Sequence, residues 1–199
     1  NGTLRLIIED INPVDWDATL FLNDWGNDAV YLFFNIVTHK FYAVPLYLYI
    51  LFTLYKKLGV RNLAIALIAI ALLITCTDQL ANLFKNGFER FRPFREPALE
   101  GLISKVGKSG GTYGFYSGHA SSAFALATFL WFILKRKHKT LGIVMLVWAV
   151  LVAYSRVYLG VHYLGDVLMG AFMGTLLGLF FAWVYAFAKA RYGVSTTIN

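Results

Sequence analysis

The stretch "SRVYLGVHYLGD", residues 155–166, places an arginine, a histidine and an aspartate between two long apolar runs. Ionisable groups near a hydrocarbon boundary are costly, so their presence at one point indicates a function. The alternative interpretation is that they are interfacial side chains without a chemical role, whose polar ends reach water from the membrane edge. The composition and the other polar stretches of the chain decide between the two.

The composition is that of a membrane protein. Of the 199 residues, 58% are hydrophobic and 15% are charged, and the mean hydropathy is +0.60. These values exclude an ordinary soluble domain. The length predicts a single domain. We expect this domain to be in contact with the membrane and to have no nucleic acid partner. The single cysteine, Cys76, lies in an apolar run and can form no internal disulfide.

Five apolar runs approach the roughly 20 residues that a hydrocarbon core of about 30 Å requires. They cover residues 41–55, 63–84, 120–134, 141–159 and 164–189. The sequence therefore predicts an all-α integral membrane bundle of about five transmembrane helices, or six if the segment before residue 41 also spans the membrane.

The N-terminal region has a different character. Residues 12–23 mix acidic with large apolar side chains, which is typical of an amphipathic helix lying at the membrane surface. We therefore divide the single domain, residues 1–199, into an N-terminal interfacial region, residues 1–40, and a transmembrane bundle, residues 41–190.

Basic residues predict the orientation of the bundle. Nine of the eighteen Lys and Arg lie in three short segments that contain no acid, residues 56–61, 135–139 and 189–191. In a five-span arrangement these segments share one side, which the positive-inside rule predicts to be cytoplasmic. The stretch 155–166 then lies at the outer face, together with "KNGFERFRP", residues 85–93, and "YSGHASS", residues 116–122.

The residue types at this outer face describe a phosphate-sized pocket. Lys85, Arg92 and Arg156 bring three positive charges to one place, where they are stable only beside an anion. Ser117 stands where a serine can cap the third span. The free N–H groups at that helix start, beginning with Gly118, point toward an anion.

Two histidines and a carboxylate add groups that can react. His162 and Asp166 are four residues apart and share a helix face, so the carboxylate can hold one ring nitrogen and aim the other at a bound group. The pair is an oriented nucleophile or base. His119, at a different helix start, is a second imidazole that can donate a proton to a leaving oxygen.

These residues resemble a three-part family signature. In this chain the parts are Lys85-x6-Arg92-Pro93, Ser117-Gly118-His119 and Ser155-Arg156-x5-His162-x3-Asp166. The pattern is similar to that of the type 2 phosphatidic acid phosphatase (PAP2) superfamily, which also includes vanadium haloperoxidases. Ten specified positions occur in order with the family's internal spacings, which makes the resemblance specific. The departure is Tyr116, where the family usually has proline.

The resemblance implies a metal-independent phosphatase without a cofactor. His162 would attack phosphorus and form a phosphohistidine, Asp166 would orient it, and His119 would protonate the leaving oxygen and later activate water. Five groups would hold the phosphoryl oxygens and stabilise the charge of the transition state. They are Lys85, Arg92, Ser117, Gly118 and Arg156.

The implied substrate is a phosphate monoester or pyrophosphate on a lipid, at the periplasmic face of a bacterial cytoplasmic membrane. The first choice is undecaprenyl pyrophosphate, which small members of the family commonly recycle. The alternatives are lipid A phosphate, phosphatidylglycerol phosphate and phosphatidic acid. A non-enzymatic protein that binds or transports an anionic lipid is an alternative of another class, but binding alone does not require two positioned imidazoles.

Other polar and small residues have less specific interpretations. Arg90, which lies between Lys85 and Arg92 of the first motif, and Arg95, which follows that motif, are predicted to bind lipid headgroups or to help recognise a large anionic substrate. Asp78, inside an apolar span, is predicted to pair with a polar side chain in the bundle, or to share a helix face with Lys85. A stripe of small residues predicts close packing of helices inside the bundle, and the alternative is a contact surface between two copies of the chain. We therefore expect a monomer or a homodimer. The stripe is Gly170, Gly174 and Gly178.

Overall fold

The fold is an all-α bundle, as predicted. The computed structural model describes residues 2–24, 28–38, 44–103, 110–134 and 138–194. The helices in these ranges are α1 (Gly2–Asn23), α2 (Asp28–Thr38), α3 (Val44–Phe88), α4 (Gly118–Leu134), α5 (Lys139–Tyr158) and α6 (Leu164–Tyr192). Two short 3-10 turns follow α3, at Pro93–Arg95 and Pro97–Leu99. The described ranges contain no β-strand, only a single bridge between Phe91 and Tyr113.

Three helices, α3, α5 and α6, are long and apolar enough to cross a membrane, and α4 is a shorter apolar helix. The predicted runs 41–55 and 63–84 both fall on α3, although residues 41–43 lie outside the described ranges. The 45 residues of α3 extend about 68 Å at 1.5 Å per residue, more than twice the thickness of the hydrocarbon core. Gly59 interrupts the helix with a φ of 70°. The helix is kinked at Gly59, and its total length is sufficient for two successive spans. The total number of spans stays a prediction.

Helix α4 lies at the centre of the bundle and packs against α3, α5 and α6. The small-residue stripe of α6 permits its close approach to α4. A Cβ atom at Gly170 would lie 2.5 Å from the Ser117 carbonyl oxygen, and one at Gly178 would lie 2.6 Å from the Ala125 carbonyl oxygen. The prediction that the stripe serves packing inside the bundle is therefore confirmed.

The N-terminal helix α1 docks on the bundle through a polar face. Asp15, Thr19 and Asn23 recur at every fourth position and are buried, whereas Val14 and Phe21 are exposed. The Asn23 side chain donates a hydrogen bond of 2.8 Å to the carbonyl of Tyr158 at the end of α5. The helix is amphipathic as predicted, but the side that it buries in the protein is the polar one.

Candidate active site

The three polar stretches meet at one end of the bundle. Backbone hydrogen bonds join the loop after α3 to the segment before α4. The N–H of Arg92 donates to the Thr112 carbonyl at 3.2 Å, and the N–H of Gly114 donates to the Arg90 carbonyl at 2.9 Å. The first motif is thereby held against the residues that lead into the second.

The corner between α5 and α6 holds the third motif in one tight turn. The backbone N–H groups of Val161 and His162 both donate to the Arg156 carbonyl, at 3.1 and 3.2 Å. Gly160 makes this reversal with a φ of 66°, which glycine adopts at little cost. The turn therefore fixes Arg156 and His162 close together at the same end of the bundle.

His162 and Asp166 form a buried pair, but the predicted shared helix face is wrong, because His162 precedes α6, which begins at Leu164. The Nδ1 atom of His162 lies 3.4 Å from Oδ2 of Asp166, and the two side chains are 2% and 0% exposed. The same carboxylate oxygen accepts the backbone N–H of Tyr163 at 3.1 Å. Since a carboxylate can only accept, the hydrogen of the imidazole lies on Nδ1 and the lone pair lies on Nε2.

The environment keeps the His162 ring neutral. Burial lowers the pKa of His162 to about 4, although the hydrogen bond and the negative charge of Asp166 oppose the shift. The Nη1 atom of Arg92 lies 3.3 Å from Nε2, so its N–H donates to the lone pair. Near neutral pH the ring therefore presents an unprotonated nitrogen, which nucleophilic attack requires.

Two guanidinium groups lie beside this ring. The side chain of Arg92 is buried, and it donates from Nε to the Tyr113 carbonyl at 3.2 Å and from Nη1 to the Val161 carbonyl at 3.1 Å. Burial lowers the pKa of Arg92. The Nε atom of Arg156 is also buried, and it has no hydrogen-bond partner in the part of the chain that the structure describes. This unpaired donor suits an anionic ligand.

The start of α4 completes the arrangement. Ser117 is fully buried and caps the helix, since its Oγ accepts the N–H of Ala120 at 3.4 Å. The N–H of Ser117 donates to the Asp166 carbonyl at 3.0 Å, which ties the starts of α4 and α6 together. A Cβ atom at Gly118 would lie 3.8 Å from Nζ of Lys85, so this ammonium group lies next to the helix start.

His119 is exposed in the first turn of α4. The charges of Arg156, Lys85 and Arg92 and the ring of His162 are close enough to act on it electrostatically. The structure thus brings all the predicted site residues to one end of the bundle. They are Lys85, Arg92, Ser117, Gly118, His119, Arg156, His162 and Asp166.

One residue of this site was assigned wrongly from the sequence. Arg90 is buried, so the prediction that it binds headgroups or substrate is wrong; its Nη1 donates to Oδ1 of Asp166 at 2.7 Å. Burial alone would lower the pKa of Arg90, but Asp166 and Asp15 raise it above its ordinary value. The Arg90-x-Arg92 spacing could have indicated that Arg90 lies in the site beside Arg92, because alternate residues of an extended segment point to the same side. Arg95 is exposed, and its role stays a prediction.

Asp78 lies on an exposed side of α3, so the predicted partner inside the bundle is wrong. Its charge acts on Lys85, which supports the alternative that the two residues share one side of the helix. Tyr116, which stands where proline is usual, is fully buried and packs its ring on Phe84 with a centroid distance of 5.2 Å.

Comparisons with known proteins show the family to which the chain belongs. Residues 62–190 match the PAP2 superfamily. The chain is 34% identical over 195 residues to a lipid A 4'-phosphatase of Bacteroides thetaiotaomicron, covering 96% of this chain and 86% of that protein. It is also 34% identical over 189 residues to a lipid A 4'-phosphatase of Porphyromonas gingivalis, covering 93% and 78% of the two chains.

The chain belongs to the PAP2 superfamily. The predicted classes, a multi-pass membrane protein and a hydrolase that acts on phosphoric esters of lipids, are thereby confirmed. The fold is also similar to the crystal structure of a transmembrane PAP2-type phosphatidylglycerolphosphate phosphatase from Bacillus subtilis. The TM-score is 0.69 at 24% identity, over 92% of this chain and 90% of that one.

Proposed function

We propose that this chain removes phosphate from a membrane lipid through a phosphohistidine on His162. The observation that carries the proposal is the pairing of His162 Nδ1 with Asp166, which leaves the Nε2 lone pair on the opposite side of the ring, beside Arg92. A neutral imidazole held in this way is an oriented nucleophile. The guanidinium beside it is placed to stabilise the charge of a phosphoryl group under attack.

The reaction has two displacements. In the first, the Nε2 lone pair attacks phosphorus, the bond from phosphorus to the lipid oxygen breaks, and His119 gives its proton to that oxygen. In the second, His119 takes a proton from water, the water oxygen attacks phosphorus, and the phosphorus–nitrogen bond breaks to release inorganic phosphate. Lys85, Arg92 and Arg156 hold the phosphoryl oxygens in both steps.

For the substrate, we propose a glycolipid phosphate of the lipid A type, which was one of the alternatives to undecaprenyl pyrophosphate. Two relatives that align with more than nine tenths of this chain are lipid A 4'-phosphatases. Undecaprenyl pyrophosphate, the first choice from sequence, is not confirmed by these relatives and stays a prediction, as do phosphatidylglycerol phosphate and phosphatidic acid.

We propose that the site opens at the periplasmic face of a bacterial cytoplasmic membrane. Arg61, in the first basic segment, lies about 36 Å along α3 from Lys85, at 1.5 Å per residue. The second basic segment ends at Lys139, where α5 begins, and Arg156 lies in the last turn of that helix. The predicted cytoplasmic charges therefore lie at the opposite end of the helices from the site, which supports this orientation.

The test measures phosphate release from detergent-solubilised lipids. A panel of lipid A, undecaprenyl pyrophosphate, phosphatidylglycerol phosphate and phosphatidic acid is compared for the wild type, His162→Ala and the control His138→Ala. We expect the fastest release from lipid A, a loss of about a thousandfold or more in His162→Ala, and no change in the control, whose histidine is exposed at the start of α5. Retained activity in His162→Ala would refute the mechanism, and a preference for another lipid would refute the substrate proposal.

A further inference from the structure

We propose that the N-terminal helix α1 belongs to the catalytic apparatus, with Asp15 acting through Arg90 to position the His162–Asp166 pair. The inference rests on the proposed function, since it assigns a task to residues around the proposed nucleophile. Asp15 and Arg90 are positioning residues in this account, because each acts on the reaction through Asp166.

One guanidinium group bridges two carboxylates at the centre of this arrangement. Arg90 donates from Nη1 to Oδ1 of Asp166 and from Nη2 to Oδ2 of Asp15, both at 2.7 Å. The side chains of Arg90, Asp166 and Asp15 are 7%, 0% and 6% exposed, respectively. Because a buried charge without a partner is strongly destabilising, each of the three groups depends on the others for its place.

The bridge determines which oxygen of Asp166 is available to His162. Arg90 occupies Oδ1, which leaves Oδ2 for the Nδ1 atom of His162 at 3.4 Å. Without Arg90, only the backbone N–H of Tyr163, which donates to Oδ2, would restrain the rotation of this carboxylate. The acceptor that sets the ring orientation of His162 and the position of its hydrogen would then be less firmly fixed.

The guanidinium is itself fixed from several sides. Its Cζ atom lies 4.0 Å from the centre of the Tyr163 ring, a cation–π contact. Asn12 accepts a second hydrogen bond from Nη2, at 2.8 Å, through its side-chain oxygen. Two residues of α1, Asn12 and Asp15, therefore fix the position of Nη2 of Arg90.

Helix α1 also satisfies the free N–H groups at the start of α6, the helix that carries Asp166. Oδ1 of Asp15 accepts the N–H of Gly165 at 2.8 Å, and Oγ1 of Thr19 accepts the N–H of Leu164 at 3.0 Å. A Cβ atom at Gly165 would lie 2.8 Å from Oδ2 of Asp15, so the helices approach closely at this point. Asp15 thus binds both α6, the helix that carries Asp166, and Arg90, which orients the carboxylate of Asp166.

The function of this connection is to keep Nε2 of His162 in line with the bound phosphorus. Small displacements of a reacting group reduce the rate of the chemical step strongly. The phosphate itself is held by other groups, Lys85 and Arg156 among them. Loss of the Asp15 carboxylate should therefore lower kcat and leave KM nearly unchanged.

The test compares Asp15→Asn with Asp17→Asn in the full-length protein. Asp17 lies on the same helix and is exposed, so it controls for the loss of one negative charge from α1. We expect kcat for lipid phosphate release to fall about tenfold to a hundredfold in Asp15→Asn, with KM within about twofold of the wild type. Asp17→Asn should match the wild type in both constants.

Thr19→Val separates positioning from a purely structural role. It removes one hydrogen bond between α1 and α6 and leaves the Arg90 bridge intact. If α1 only stabilises the fold, both variants will lower Tm and keep the wild-type kcat per folded molecule. The proposal instead requires a much larger loss of kcat in Asp15→Asn than in Thr19→Val.

Should Asp15→Asn fail to fold, Asn12→Ala removes a single acceptor of Arg90 and should still lower kcat severalfold.

The outcomes also distinguish this inference from the proposed function. If folded Asp15→Asn has the wild-type kcat, the role of α1 is overturned, although phosphate release still depends on His162. The same conclusion holds for a wild-type kcat in Asn12→Ala when that variant replaces Asp15→Asn. Phosphate release that survives His162→Ala would instead overturn the proposed function.

Discussion

The Nη1 atom of Arg92 lies 3.3 Å from Nε2 of His162, on the side of the ring opposite to Asp166. The imidazole is therefore held between a carboxylate and a guanidinium, both of which are buried. The carboxylate fixes the hydrogen on Nδ1, and the guanidinium lies beside Nε2, the unprotonated nitrogen of the ring.

Gly114 packs against this pair, and a side chain there should disturb it. A Cβ atom at this position would lie 3.1 Å from Cγ of Arg92 and 3.3 Å from Oδ2 of Asp166. We expect Gly114→Ala to lower kcat/KM by about tenfold or more, because both groups must shift. Gly111→Ala is the matched control, since a Cβ atom there has no neighbour within 4 Å. Equal activity of the two variants in the phosphate-release assay would contradict the packing described here.

The free donor of Arg156 should be needed to hold the phosphoryl group. We expect Arg156→Ala to lower kcat/KM by about a hundredfold to a thousandfold, as is typical for the loss of a group that stabilises transition-state charge. Arg156→Lys should recover only part of the loss, because an ammonium group lacks the paired donors of a guanidinium. Steady-state kinetics of phosphate release measures both effects, and full activity in Arg156→Ala would refute the assignment.

The proposed nucleophile should stay neutral in mildly acidic solution. The pKa of His162 is lowered from 6.5 to about 4, mainly by burial. Between these two values the unfolded chain binds the proton and the folded protein does not, so this residue reduces stability as the pH falls through that window. Nitrogen NMR of histidine-labelled protein in detergent measures the titration directly, with His162→Gln to assign the signal. Titration near the ordinary value would contradict the buried, unprotonated ring.

The role of His119 predicts a dependence on the leaving group. An alkoxide leaves poorly without a proton, whereas a nitrophenolate leaves readily without one. We expect His119→Ala to slow formation of the phosphoenzyme strongly with a lipid alkyl phosphate and much less with a nitrophenyl phosphate. Rapid-quench measurement of the first turnover compares the two substrates. Equal losses with both would contradict the assignment of His119 as the proton donor.

Much of the site was predictable because its residues follow fixed spacings. The short separations along the chain from Arg156 to His162 and from His162 to Asp166 predicted that the three lie close together, although His162 precedes α6, which begins at Leu164. The start of α4 at Gly118 was predictable for a similar reason, because Ser117 is a typical capping residue ahead of an apolar run. The glycines of α6 were likewise recognisable as a packing surface from their spacing of four.

Other features depend on contacts that no local pattern encodes. Arg90 bonds to Asp15, which is 75 residues away in the chain; Arg90 occupies an unspecified position of the first motif, and Asp15 lies outside the three-part signature. Residues 12–23 predicted an amphipathic helix at the membrane surface, yet three polar side chains of this segment, Asp15, Thr19 and Asn23, are buried against α5 and α6. The break in α3 was easier to anticipate, because Gly59, where the backbone leaves the helical region (φ 70°, ψ 170°), lies between the two predicted apolar runs.

The most direct test of the central claim is the identification of the phosphorylated residue during turnover. The enzyme is mixed with lipid labelled in the phosphate, quenched within the first turnover under conditions that preserve phosphohistidine, and digested for mass spectrometry. We predict label on the peptide that contains His162 in the wild type and in His138→Ala, and none in His162→Ala. Label on a different residue, or unchanged labelling of His162→Ala, would contradict the account.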